Sequence, residues 1–309
     1  MLFLLQKSKK LEHHYIQFFY LTRLDKKINF ERINTTKEKI SNLSTNHSQR
    51  YHINAQPALK LAARDKRELA AFNKKADEVL IKQGYSQESI DKLRVLYEVK
   101  VGAKNLDDVL KEKGKDFFKH DEFKNLAAKE GLGIGKNASG QDVLKINVRS
   151  GNTGNWNKEL NYPKPNRIYK VNEHVDYHTD EFGRVFFVKG DFDKETLEIL
   201  GRNDYRTGQV GKLGKSDNHG GHIIARILGG AGEKLNLVPM NGEFNRREWF
   251  EMEKLWADAI KDGKKVELKI EPVYLEKGVR PDKFKIEYKI GDGKSIERTF
   301  DNVPGGKKK

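Results

Sequence analysis

His222 follows a glycine pair, Gly220 and Gly221, and precedes the apolar run Ile223-Ile224-Ala225. An imidazole titrates near neutral pH and can take a proton from water, so His222 is a candidate general base; a core histidine beside a glycine turn is the plainer alternative. Asn245 offers an amide oxygen that, with waters, suits a hard divalent ion, Mg2+ or Mn2+; the alternative is a hydrogen bond at a helix N-terminus. Glu253 stands eight residues beyond Asn245, two helical turns or ~12 Å along the axis. That spacing suits orienting water at the ion better than touching it, with a surface ion pair as the competing reading. Arg206 has the planar fork that matches phosphate bidentately and stabilises developing charge, and Arg202 and Arg280 compete for the same role. The pairs His219/His222 and His174/His178 have metal-ligand spacing but no third ligand in reach, so hairpin surface histidines are the expectation for them.

These groups need a frame. Ile223 to Ala225 reads as a short buried strand holding the imidazole. A helix beginning near Asn245 carries Trp249, Met252, Trp256 and Ile260 at three- to four-residue spacing, so that one face packs on the domain. Upstream, Arg167 to His178 alternates, Asp180 to Gly183 makes a turn and Arg184 to Lys189 returns, which is a hairpin. A weaker helix is expected near Lys194 to Leu200, and Arg202 to Gly214 is Gly-rich and basic. Lys265 to Tyr274 and Phe284 to Ile290 alternate as further strands.

The run Gly-Gly-His-Ile-Ile-Ala, then Leu228-Gly229-Gly230, Asn236-Leu237-Val238-Pro239, Asn245-Arg246, Trp249 and Glu253 resembles the DNA/RNA non-specific endonucleases of the ββα-metal (His-Me finger) group, in the toxin-domain branch of bacterial polymorphic toxins. Tyr177 to Asp180 and Gly183-Arg184 before it, and Gly263 to Val266, Pro272 to Tyr274 and Arg280-Pro281 after it, continue the pattern. The resemblance covers roughly Arg167 to Val303, and several motifs in one order are more specific than any single one. It implies an α+β fold: a ββα-metal domain with an antiparallel sheet, preceded by an all-α N-terminal region. It also implies metal-dependent phosphodiester hydrolysis of DNA and/or RNA, with His222 activating water, Asn245 and Glu253 serving the metal and Arg206 the phosphate. In-line attack would leave a 5′-phosphate and a 3′-hydroxyl, and contacts to backbone alone would give no base selection. The sequence departs from the family at one point, because the acidic residue expected shortly before Gly-Gly-His is replaced by His219, which leaves Asp217 without an assigned role.

Charge is uneven along the 309 residues. The net value is +15, yet residues 169 to 309 hold 27 Lys and Arg against 25 Asp and Glu. The excess lies in the first half, where it would attract polyanions without specificity or simply solvate helix faces. Bulk charge is therefore no argument for a nuclease. The chain has no cysteine, which excludes disulfides, Cys-zinc sites and thiol catalysis. Met-Leu-Phe-Leu-Leu is too short for a signal-peptide core and no stretch is long enough for a membrane span.

Composition divides the chain into a partly disordered segment 1–55, a helical linker or docking region 56–135, a Gly/Asn/Pro-rich linker 136–166 and a nuclease domain 167–309. The helical region is read as a long helix from Pro57 to Gly84, a second capped by Ser86, and shorter ones around Leu106 to Leu110 and Glu122 to Ala128. The chain is then expected to be the effector end of an antibacterial toxin, secreted by a dedicated system, acting in the target-cell cytoplasm and blocked by an acidic immunity protein. The competing class is a non-catalytic nucleic-acid or partner-binding module with a degenerate nuclease fold, which would have no need to keep His222 and Asn245 together. A sequence-specific endonuclease of the same group would need a recognition element that the sequence does not show.

Overall fold

The computed structural model describes residues 73, 74, 76–197, 201 and 203–307. The N-terminal segment, the long helix from Pro57 up to residue 72, and Arg202 lie outside them. The chain forms two compact units, residues 1–132 and 133–309.

In the first unit, residues 76–82 are helical, and Gly84 with φ +92° follows them. Helix α1 (Gln87–Val101) starts at Ser86, whose hydroxyl accepts from the Ser89 amide, and ends at left-handed Gly102. Ile90, Leu93, Leu96, Tyr97 and Val99 line its buried side. Helices α2 (Leu106–Lys113) and α3 (Asp121–Lys129) add Leu106, Val109, Phe123 and Leu126 to the interior. The described residues of this unit before Leu132 hold helices and no strand, while strand β1 (Leu132–Lys136) begins inside the region 56–135 expected to be helical.

The second unit is built on an eight-stranded sheet in the order β1 (Leu132–Lys136), β2 (Asp142–Val148), β3 (Arg167–Val171), β4 (Val175–Thr179), β5 (Val185–Phe192), β8 (Val266–Tyr274), β9 (Pro281–Ile290) and β10 (Ile296–Asp301). Strands β2 and β3 are parallel, and every pairing from β3 onward to β10 is antiparallel. A separate two-stranded antiparallel ribbon joins β6 (Asn218–His222) and β7 (Leu237–Asn241). Short helix α4 (Lys158–Asn161) precedes β3, α5 (Asp204–Gly211) precedes the ribbon, and α6 (Gly242–Arg246) and α7 (Glu248–Lys261) follow it.

Alternation fixes which side of the sheet carries the helices. In β8 Val266, Leu268 and Ile270 are buried while Glu267, Lys269 and Glu271 are exposed, and Phe284, Ile286 and Tyr288 do the same work on β9. Against them α6 and α7 place Phe244, Trp249 and Trp256. The ring centroids of Phe244 and Trp249 stand 5.9 and 4.9 Å from that of Phe284, and Trp256 stands 5.8 Å from Tyr288. Of the expected helix stripe, Trp249, Trp256 and Ile260 are buried and Met252 is half-buried.

Four further expectations change. Residues 136–166 contain strand β2, so this segment is not only a linker: Val143, Leu144 and Ile146 are buried and the strand pairs with β3. Arg167 to His178 is two strands, because Asn172 and Glu173 both take positive φ, 50° and 70°, and turn the chain back as a tight hairpin turn requires. Arg202 to Gly214 contains helix α5, capped by the Asn203 side chain on the Arg206 amide. The strand at the imidazole precedes it: Asn218 to His222 pairs with β7, whereas Ile223 to Ala225 is buried but irregular.

Candidate active site

The glycine pair is a consequence of close packing on both faces of β6. A methyl at Gly220 would meet the Thr207 carbonyl oxygen of α5 at 2.3 Å, and one at Gly221 would meet Met240 Cβ at 2.8 Å and Asn245 Oδ1 at 3.0 Å. Helix α5 thus rests on one face of the ribbon. Asn245 lies over the other, against the residue that precedes His222.

Helix α6 reaches this position through a chain of hydrogen bonds. Asn241, not Asn245, caps it, accepting from the Glu243 and Phe244 amides at 3.1 Å. The Asn241 amide group donates to Asp217 Oδ2 at 2.6 Å, and its backbone N–H donates to Asn302 Oδ1 at 2.7 Å. Asn302 is fully buried and donates in turn to the Pro239 and Pro281 carbonyls. Asp217 therefore positions the start of α6. The alternative for Asn245, a helix-terminal hydrogen bond, is taken up by Asn241, and among the described residues the Asn245 side chain makes no hydrogen bond.

His222 ends β6 and is half-buried. Its carbonyl accepts from the Trp249 indole N–H at 3.0 Å. The same indole hydrogen-bonds the Glu253 carboxyl, which burial pushes up to about 8 from an ordinary 4.5. Trp249 thereby ties the backbone of His222 to Glu253, and near pH 7 Glu253 holds its proton. The segment after His222 is fixed by Asn236, fully buried, whose side chain accepts from the Ile224 amide and donates to the Ile224 and Ala231 carbonyls.

A cleft of about 590 Å³ opens beside the ribbon, bordered by Asp204, Thr207, Gly208 and Lys212 of the α5 segment, by Lys215, and by His219, Gly220 and Asn245. His222, Glu253 and Arg206 are not among its lining residues. His219 is, and its Nε2 lies 3.3 Å from Arg246 Nη1. Lys212 and Lys215 carried no assigned role in the sequence, and His219 was expected only as a surface histidine; the signal was the basic Lys212-Leu-Gly-Lys215 run beside the glycine pair. Arg206 is half-buried on α5, its Nε buried with no hydrogen-bond partner among the described residues. Arg280 is a structural clamp instead: it donates to Asn218 Oδ1 and to the carbonyls of Pro281 and Asn302. His174 and His178 are not surface groups as expected. His178 is buried, packs on Phe187 at 5.0 Å and accepts through Nδ1 from the Ala138 amide, and burial lowers it to about 4. His174 is half-buried, with Nδ1 on the Asn172 carbonyl.

Among the described residues no group of three or more His, Asp or Glu gathers to hold a metal. The donor this site offers is the Asn245 amide oxygen, which borders the open cleft and makes no hydrogen bond among the described residues. One neutral oxygen completed by waters fits a hard cation that keeps most of its hydration, and does not fit a structural transition-metal centre.

Residues 165–292 match the model of the DNA/RNA non-specific endonuclease family. The chain is 35% identical over 129 residues to the type VII secretion system protein EssD of Staphylococcus aureus strain USA300. The proteins of strains NCTC 8325 and Newman match at the same identity. The match takes in 40% of this chain but 21% of those relatives, so the chain spans about a fifth of their length. Among solved structures, NucA from Streptococcus agalactiae with no metal bound aligns at 17% identity and a TM-score of 0.35, covering 60% of this chain and 91% of that one. Sda1 nuclease with bound zinc ion aligns at 18% identity and 0.34, covering 43% and 75%. Likenesses at this level do not bear on the chemistry. Both strands of the ribbon and the whole of α7 fall inside the span that matches the DNA/RNA non-specific endonuclease model.

Proposed function

We propose that the chain is a metal-dependent endonuclease that hydrolyses phosphodiester bonds of DNA or RNA, with His222 as general base and Asn245 as the protein ligand of a magnesium or manganese ion. One observation carries this reading: the Asn245 amide is released from helix capping by Asn241 and held over Gly221, at the residue before His222, on a cleft bordered by lysines. The ion, when bound, supplies positive charge to the phosphorane and the leaving oxygen. His222 accepts the proton of the attacking water, and Lys212 and Lys215 hold the strand by its phosphates. Arg206 meets further phosphate charge from α5. Glu253 acts through Trp249 as a positioning residue for the His222 backbone.

The test is cleavage of plasmid and of RNA by the purified chain, with magnesium and with excess chelator. His222→Ala is expected to lower the rate about a hundred- to ten-thousand-fold, and Asn245→Ala to raise the magnesium needed for half-maximal rate. Cleavage undiminished in chelator sinks the metal assignment. A specific observation supports a second reading of the base, because His219 and not His222 lines the cleft; a larger loss in His219→Ala than in His222→Ala decides for it. Binding without cleavage in every condition decides for a non-catalytic module.

The similarity to type VII secretion system proteins supports delivery out of the producing cell, and no helix among the described residues is long and apolar enough to cross a membrane. We read the chain as a toxin effector acting in a target cytoplasm. Its inhibitor would be an acidic protein complementing Lys212, Lys215 and Arg206. Growth arrest on cytoplasmic expression, relieved by His222→Ala, is the check, and normal growth with soluble wild-type protein counts against toxin and inhibitor alike.

A further inference from the structure

Tyr162 and Tyr205 are left 68% and 72% exposed in a unit that buries most of its other aromatic rings. Both stand against one guanidinium: Arg206 Cζ lies 5.6 Å from the Tyr162 centroid and 5.9 Å from that of Tyr205. The rings come from different elements, Tyr162 just after α4 and Tyr205 in the first turn of α5. On α5, Tyr205 is next to Asp204 and one turn from Gly208, which both border the cleft. Lys212 and Lys215 border the same cleft. Packing does not account for two exposed rings gathered on a half-buried arginine.

We propose that Tyr162, Arg206 and Tyr205 form a stacking platform for unpaired bases of a nucleic-acid strand whose phosphates follow Lys212 and Lys215. The inference rests on the nuclease reading and narrows its substrate class to single-stranded DNA or RNA, or duplex opened at the site. A guanidinium over each ring fixes the rings and enriches them as cation–π partners, and every base has a π-face to lay against an exposed ring. A closed duplex keeps those faces in its own stack. Charge complementarity supplies the approach, and the rings supply the preference for bases over bare backbone.

The experiment is equilibrium binding of the full chain, in chelator without added metal, to a fluorescent single-stranded oligonucleotide and to an abasic strand of equal length and charge. The base-bearing strand is expected to bind about tenfold tighter. The Tyr162→Ala, Tyr205→Ala double variant loses that preference, while the Tyr162→Phe, Tyr205→Phe variant keeps it, because stacking needs the ring and not the hydroxyl. Equal affinity of the wild type for the two strands overturns the platform, as does a preference that survives the alanine substitutions. An inhibitor protein as the natural occupant of the rings would give that first result. Plasmid cleavage with magnesium is scored separately, so a chain that never cuts sinks the nuclease reading while the strand preference still decides the platform.

Discussion

Glu253 shows how one residue changes meaning once its surroundings are known. Spacing alone made it a carboxylate near the metal, but burial against Trp249 raises it to about 8, so its folded form keeps a proton that the unfolded chain releases near 4.5. The folded state binds more protons between those two values, and the stability from Glu253 is therefore full below 4.5 and lost as pH rises to about 8. Urea unfolding at pH 5 and pH 8.5 should show the wild type weakening relative to Glu253→Gln as pH increases. Parallel stability profiles for the two proteins would remove the buried-acid assignment. The amide of the variant still serves as an acceptor for the Trp249 indole, so the comparison isolates the proton.

At the scale of elements, the site is an antiparallel ribbon gripped from two sides. Thr207 of α5 closes on Gly220, and Met240 with Asn245 closes on Gly221, which leaves no room for a Cβ at either position. Gly220→Ala should move α5 off the ribbon at a cost of about 1–3 kcal/mol from overpacking, read as a lower denaturant midpoint. An unchanged midpoint would mean that α5 is seated loosely and adapts. The aromatic layer beneath, Phe244, Trp249, Phe284 and Phe300, ties the same unit to β9 and β10.

At the scale of the molecule, the sheet extends further upstream than the family motifs do. Buried Glu233 accepts from the Ser150 hydroxyl and from the amides of Gly151 and Asn157 at 2.7–2.8 Å, and β2 lies alongside β3. A fragment of residues 160–309 would strip these donors from a buried carboxylate and expose the side of β3, whereas 133–309 keeps both. Leaving a buried acceptor without its donors costs about 1–3 kcal/mol. The shorter fragment should melt well below the longer one, and equal melting temperatures would show that residues 133–159 are dispensable for stability.

Much of this protein was legible in the residues. The stripe of Trp249, Trp256 and Ile260, the alternation of β8 and β9, the cap at Ser86, and the ordered run from Gly220 to Glu253 are local or periodic signals, readable because helix and strand repeats dictate which side chains share a face. What the sequence could not decide depended on partners distant in the chain. Asn241 and Asn245 look alike as helix-start amides, and only Asp217 and Asn302 converging on Asn241 leave Asn245 free. Arg206 and Arg280 look alike as phosphate ligands, and only the carbonyls around Arg280 make it a clamp. Residues 136–166 read as a linker because Gly, Asn and Pro dominate the composition, while β2 inside it gains its place from β3, about twenty residues on. Propensity is set by neighbours in sequence; burial, charge state and free hydrogen-bonding capacity are set by neighbours in space, and those were fixed only when the ribbon, its two helices and the sheet came together.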